Sequence, residues 1–258
     1  MRTIGLALAL LTASATAHAQ LLRVYEYEQP AQGTPEFSLW NSWVPKSGRQ
    51  YSFLGKERER DGLWMHALEV EYGVTPNLAF GAYVDAERPE AARFAYTQAR
   101  LLFRYAFLRK HDLPIDVGIY VEYYLPRPEY GPEHVELRLI LERDFADFSL
   151  RVNPMLDKVT SGDSISSVEF EYAAGIYYRR LLCFQPGIEA FGSTGELQSP
   201  ERARHQQHQL FGVIDLRFFG GALRWHLGAG YGYSRGADDL TIKSILSYEP
   251  APSFALVR

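Results

Sequence analysis

Residues 115–126 read IDVGIYVEYYLP, and this stretch most constrains the fold. Successive side chains of a strand point to opposite sides. Ile115, Val117, Ile119, Val121 and Tyr123 therefore share one face, and Asp116, Gly118, Tyr120, Glu122 and Tyr124 the other. The first face carries no charge over its whole length. About ten residues is also the length with which a tilted strand crosses a bilayer. A strand of this kind is expected to place its apolar face on lipid and its polar face on a lumen.

The same alternation recurs along the chain. Leu78, Phe80, Ala82 and Val84 alternate with Ala79, Gly81, Tyr83 and Asp85. Val135, Leu137, Leu139 and Leu141 alternate with Glu136, Arg138, Ile140 and Glu142, and Val168, Phe170, Tyr172 and Ala174 with Glu169, Glu171, Ala173 and Gly175. The pattern predicts about twelve strands. Three are weaker: residues 37–43 carry aromatics on both faces, 184–191 contain Pro186, and 210–218 contain a glycine. Long and short connections alternate, from the polar 45–62 segment with its KERERD run to tight turns at 75–77 and 219–221. Outer-membrane barrels have long outer loops and short periplasmic turns. The fold expected is all-β, an antiparallel up-and-down transmembrane barrel of about twelve strands. A soluble barrel with apolar residues inside would need an unusually wide core, since about eight strands already make a barrel that side chains fill. Tyr72, Tyr123, Tyr124, Tyr231, Tyr233 and Tyr248 lie near strand ends and are expected to form interfacial girdles.

The beginning of the chain predicts export. Arg2, a short apolar core at residues 4–11 and Ala17-His18-Ala19 form a cleavable signal peptide over 1–19, with Gln20 starting the mature chain. Residues 20–34 are expected to be a periplasmic segment, 35–249 the barrel and 250–258 a tail. No stretch after residue 20 approaches the roughly 18 apolar residues of a membrane helix. A net charge of −4 argues against a general nucleic-acid binder. Cys183 is the one cysteine, which rules out an intrachain disulfide and a cysteine-based metal site.

The hairpins LEVEYGVTPNLAFGAYVD (68–85) and GALRWHLGAGYGYSRG (221–236) resemble those of outer-membrane transporter barrels, specifically the family labelled MetA-pathway of phenol degradation. The resemblance spans roughly residues 35–249 and implies a transport role in the outer membrane, without a residue-level site. One departure concerns the end of the chain. Such barrels end on an aromatic residue, whereas here Tyr248 is followed by a tail containing Pro250 and Pro252.

Residues able to do chemistry are scarce. No His-x-Ser pair like that of barrel phospholipases is present, and His205 and His208 fall on opposite faces of a strand. No cofactor is expected. The charged residues assigned to the lumen are Arg100, Arg104, Asp116, Glu122, Glu136, Arg138, Arg151, Glu169, Glu171 and Arg224, as an ion-pair network or a selectivity lining. Register arguments predict an Arg100–Glu122–Arg138 row across three strands. The function expected is a narrow channel or transporter for a small solute, with outer-membrane lipid as the other partner. A closed barrel with a structural or binding role is the alternative, and a lipid-modifying enzyme is a third, weakened by the missing Ser/His pair.

Overall fold

The computed structural model describes residues 22–250 apart from 163, 164, 166 and 182. The signal peptide assigned to 1–19 and most of the tail assigned to 250–258 lie outside the described residues. The chain runs through β1 (Pro35–Lys46), a small hairpin of β2 (Gln50–Phe53) and β3 (Lys56–Glu59), then β4 (Leu63–Thr75), β5 (Leu78–Arg88), β6 (Ala95–Ala106) and β7 (Asp116–Pro126). It continues with β8 (His134–Phe145), β9 (Phe148–Val159), β10 (Val168–Tyr178), β11 (Phe184–Glu196), β12 (Gln207–Phe218), β13 (Leu223–Gly232) and β14 (Leu240–Tyr248). All but β2 and β3 form one closed antiparallel barrel of twelve strands. β1 closes it against β14, with Phe37 opposite Tyr248, so Tyr248 is the aromatic residue that ends the last strand.

The three weaker strands are all present as β1, β11 and β12. The aromatics of β1 divide between the faces: Trp40 is buried and donates through Nε1 to Glu69 at 2.8 Å, while Trp43 stacks on Trp64. Alternation sets the two surfaces. Leu68, Leu101, Ile188 and Leu210 are more than half exposed on the outside, whereas Ala67, Glu69, Arg100 and Leu102 beside them are buried. A monomeric soluble protein rarely exposes an apolar patch beyond a few hundred Å². Here exposed apolar residues recur on eleven of the twelve barrel strands, and the outward apolar residues of β7 are half-buried, as a lipid-facing belt requires. Tyr124 departs from the expected girdle. It points inward, stacks on His134 and donates to Glu122 at 2.9 Å, because it shares the parity of Tyr120 and Glu122.

The first long connection is structured rather than an open loop. Leu54 and Gly55 both have positive φ, the geometry of a tight hairpin turn, and join β2 to β3. Tyr51 and Phe53 pack on the inward-facing Val44, Leu63 and Met65 and on Tyr130, which folds the hairpin over the outer mouth. A buried clasp fixes it: the Arg60 guanidinium donates to both carboxylate oxygens of Asp238, with Nη2 to Oδ2 at 2.8 Å. Burial alone would push the Asp238 carboxyl up, but the Arg60 charge overrides it and holds the group below its ordinary range.

Candidate functional site

The segment expected to lie on the periplasmic side is inside the barrel. A turn over residues 31–34, with Gly33 at φ 80°, reverses the chain just before β1. It docks against Gly73, where a Cβ would come within 2.3 Å of the Pro30 carbonyl oxygen, so only glycine admits this approach. From there residues 22–30 run into the lumen, with Leu22, Val24, Tyr25, Glu26 and Tyr27 all buried. The physical reason is complementarity. Tyr25 and Tyr27 join Trp40, Tyr83, Leu102, Tyr120 and Ile140 in one apolar cluster. Leu22 and Val24 join Met155, Tyr177, Phe191, Phe211 and Val213 in another. The lumen is therefore packed around this segment.

An extended chain inside a barrel has no ladder of its own, and its buried N–H and C=O groups need partners. Side chains of the wall supply them. Asn153 accepts from the Tyr25 N–H at 2.7 Å and donates to the Tyr25 carbonyl at 3.2 Å. Glu142 accepts from the Tyr27 N–H at 2.6 Å. Lys243 donates to the Leu22 carbonyl at 2.9 Å, and Arg138 to the Arg23 carbonyl at 3.2 Å. Arg104 donates to the carbonyls of both Glu26 and Glu28. The Glu26 carboxylate bridges Arg151 at 3.0 Å and Arg224 at 2.6 Å. The Tyr25 hydroxyl joins those of Tyr83, at 2.8 Å, and Tyr120, at 3.2 Å.

The sequence-assigned lumen residues thus fall into four groups. Arg104, Arg138, Arg151 and Arg224 hold the segment. Arg100 pairs with Glu122 at 2.9 Å and with Asp85 at 2.8 Å, and Glu136 pairs with Arg138 at 2.9 Å. Asp116 lies at the start of β7 and accepts from the His111 N–H at 2.6 Å, fastening the short 109–114 turn. Glu169 and Glu171 line the outer cavity and, among the described residues, form no ion pair with the arginines. The predicted three-strand row forms in half. Arg100 meets Glu122, but Arg138 goes to Glu136, because each strand pair is offset by two residues from the expected register: Tyr124 faces Arg100, and Glu136 faces Glu122.

The segment divides what space remains. An outer cavity, open to solvent, is lined by Arg100, Glu122, Glu136, Asp157, Glu169 and Glu171 among others. An inner one is lined by Arg23, Glu26, Arg151, Arg217, Arg224 and His226 among others. His226 lies 2.7 Å from Asp215 and 3.5 Å from Glu189, a polar lining residue with its partners met. His205 and His208 are separated in function: His208 bonds Tyr172 and Gln206 through its two ring nitrogens. Among the described residues no group of His, Cys, Asp and Glu is arranged to hold a metal ion.

Several of these groups escaped sequence reasoning. The signal for residues 22–28 was present, as Arg23, Tyr25 and Tyr27 alternate with Val24, Glu26 and Glu28, but it precedes the first strand.

No family model matches the sequence, and no curated protein does. Solved structures do share the fold. The outer membrane channel from Pseudomonas putida F1 titled COG4313 is 11% identical, with a TM-score of 0.62, covering 89% of this chain and 100% of that one. A KdgM porin is 7% identical, with a TM-score of 0.58, covering 84% and 99%. A NanC porin is 11% identical, with a TM-score of 0.52, covering 84% and 99%. The fold is that of the porin-like twelve-stranded barrels of the outer membrane.

Proposed function

We propose that this chain is an outer-membrane channel for small polar solutes whose passage is controlled by residues 22–30. The observation that carries the reading is the way those residues are held. A permanent core is filled by apolar side chains. Here the backbone of the segment hangs on charged and amide side chains, and Glu26 sits between two arginines, with cavities on both sides. Contacts of that kind can be exchanged for water or a polar solute one at a time, since a net intramolecular hydrogen bond contributes only about 0.5–1.5 kcal/mol and one to a charged group about 1.5–3 kcal/mol. The resemblance of the 68–85 and 221–236 hairpins to barrels of the MetA-pathway of phenol degradation family supports a transport role. So does the fold shared with a KdgM porin, of which one structure is titled as a complex with disordered oligogalacturonate.

The two apolar clusters between segment and wall favour a second reading, a barrel closed for good that serves a structural or binding role. Liposome swelling separates the two. Protein refolded into liposomes should admit small uncharged solutes slowly, and faster when Glu26→Ala breaks the double ion pair. Liposomes that stay impermeable with both proteins establish the closed barrel.

A further inference from the structure

Across five consecutive strands of the outer lumen wall, carboxylates stand in one cross-strand row. Glu122 of β7 faces Glu136 of β8, Glu136 faces Asp157 of β9, Asp157 faces Glu169 of β10, and Glu169 faces Glu196 of β11. Like charges directly opposite one another destabilise a sheet. The row is therefore a cost to folding that the protein's own cations offset only at one end. Arg100 serves Glu122 and Arg138 serves Glu136, each at 2.9 Å. Asp157 has the His134 imidazole at 3.6 Å, and Glu196 accepts from the Ser167 hydroxyl at 2.8 Å. Among the described residues Glu169 and Glu171 form no ion pair.

A second, independent group points into the same cavity. Gln98 is 4% exposed and donates through Nε2 to Asp85 at 2.8 Å. That bond fixes the amide, because the reverse orientation would set its oxygen against a carboxylate. Its Oε1 is left as a buried acceptor with no hydrogen-bond partner, in a cavity whose lining carries five carboxylates, Glu122, Glu136, Asp157, Glu169 and Glu171, against the three arginines Arg23, Arg100 and Arg138. Such a site calls for a ligand made of donors and positive charge.

The geometry selects among cations. The acceptors do not converge on a point as metal ligands do. They follow one another along the wall at the interstrand spacing of about 4.8 Å. Met155, Phe191 and Leu22 line the same cavity and offer apolar surface beside the row. We propose that the outer lumen binds linear oligoamines, with successive ammonium groups on successive carboxylates and the connecting methylenes on the apolar side chains. That such a cation is in transit rests on the channel reading; the site itself rests on the wall alone. An acidic oligosaccharide does not fit, because its carboxylates would meet this row.

The test is calorimetric titration of the folded mature protein in detergent with spermidine, with magnesium chloride and a galacturonate oligomer as comparison probes. Spermidine should bind more tightly than magnesium, weaken as salt is raised, and raise the unfolding temperature of the wild-type barrel; the acidic oligomer should not bind. The triple variant Asp157→Asn, Glu169→Gln, Glu171→Gln relieves like-charge repulsion, so it should fold, and it should bind spermidine at least about tenfold more weakly, each lost charged hydrogen bond being worth that much or more. Spermidine binding that is absent, no tighter than magnesium, or unchanged in the variant overturns the site. The bilayer current keeps the two readings apart. A barrel that conducts without binding spermidine refutes the site and leaves the channel, and one that binds without conducting refutes the channel and leaves the site.

Discussion

At the scale of the residue, β7 offers the sharpest contrast, because neighbours one position apart meet different solvents. Ile119 faces outward between Tyr105 and Leu139 on the adjoining strands, whereas Gly118 faces the lumen, where a Cβ would lie 3.6 Å from the Tyr27 ring. Arginine at a lipid-facing midplane position costs roughly 2–4 kcal/mol. Ile119→Arg should therefore reduce insertion, read as loss of the heat-sensitive compact band on an unheated gel. Gly118→Arg should insert but eject Tyr27, raising permeability. Equal insertion of the two variants would mean the faces are reversed. The same parity made most of the candidate site legible: Arg100, Glu122 and Arg138 are inward because charges alternate with Leu101, Val121 and Leu139. Their pairing was not legible, since contact depends on register, and a shift of two residues preserves every face while changing every partner.

At the scale of the element, the β2–β3 hairpin shows what alternation cannot reveal. Its four-residue strands and the KERERD run read as a polar loop, and what orders it is the packing of Tyr51 and Phe53 on Val44, Leu63 and Met65 together with the Arg60–Asp238 clasp. The N-terminal segment escaped for a related reason: it forms no ladder, so its place follows from partners more than a hundred residues away, such as Asn153 and Glu142. The hairpin should depend on pH through its clasp. The Asp238 carboxyl is held below its ordinary value of about 3.9, so the clasp's contribution is full above that value and is lost as pH falls through the depressed one. Trypsin cleavage at Lys56 and Arg58 should thus be slow at neutral pH. Asp238→Asn, which strips a buried guanidinium of its partner at a cost of about 3–5 kcal/mol, should make it fast. Equal cleavage of variant and wild type would show that the apolar contacts alone dock the hairpin.

At the scale of the whole molecule, one chain supplies both barrel and closure. Twelve strands make a ring wider than their inward side chains fill, and residues 22–30 occupy the difference. This segment, and not the barrel wall, is proposed to set the conductance. Single-channel recording in planar bilayers tests it most directly, comparing the mature chain with one lacking residues 22–30. The mature chain should give small or infrequent current steps, and the shortened one severalfold larger, long-lived steps. Two folded barrels with indistinguishable currents, or two that are equally silent, would contradict it.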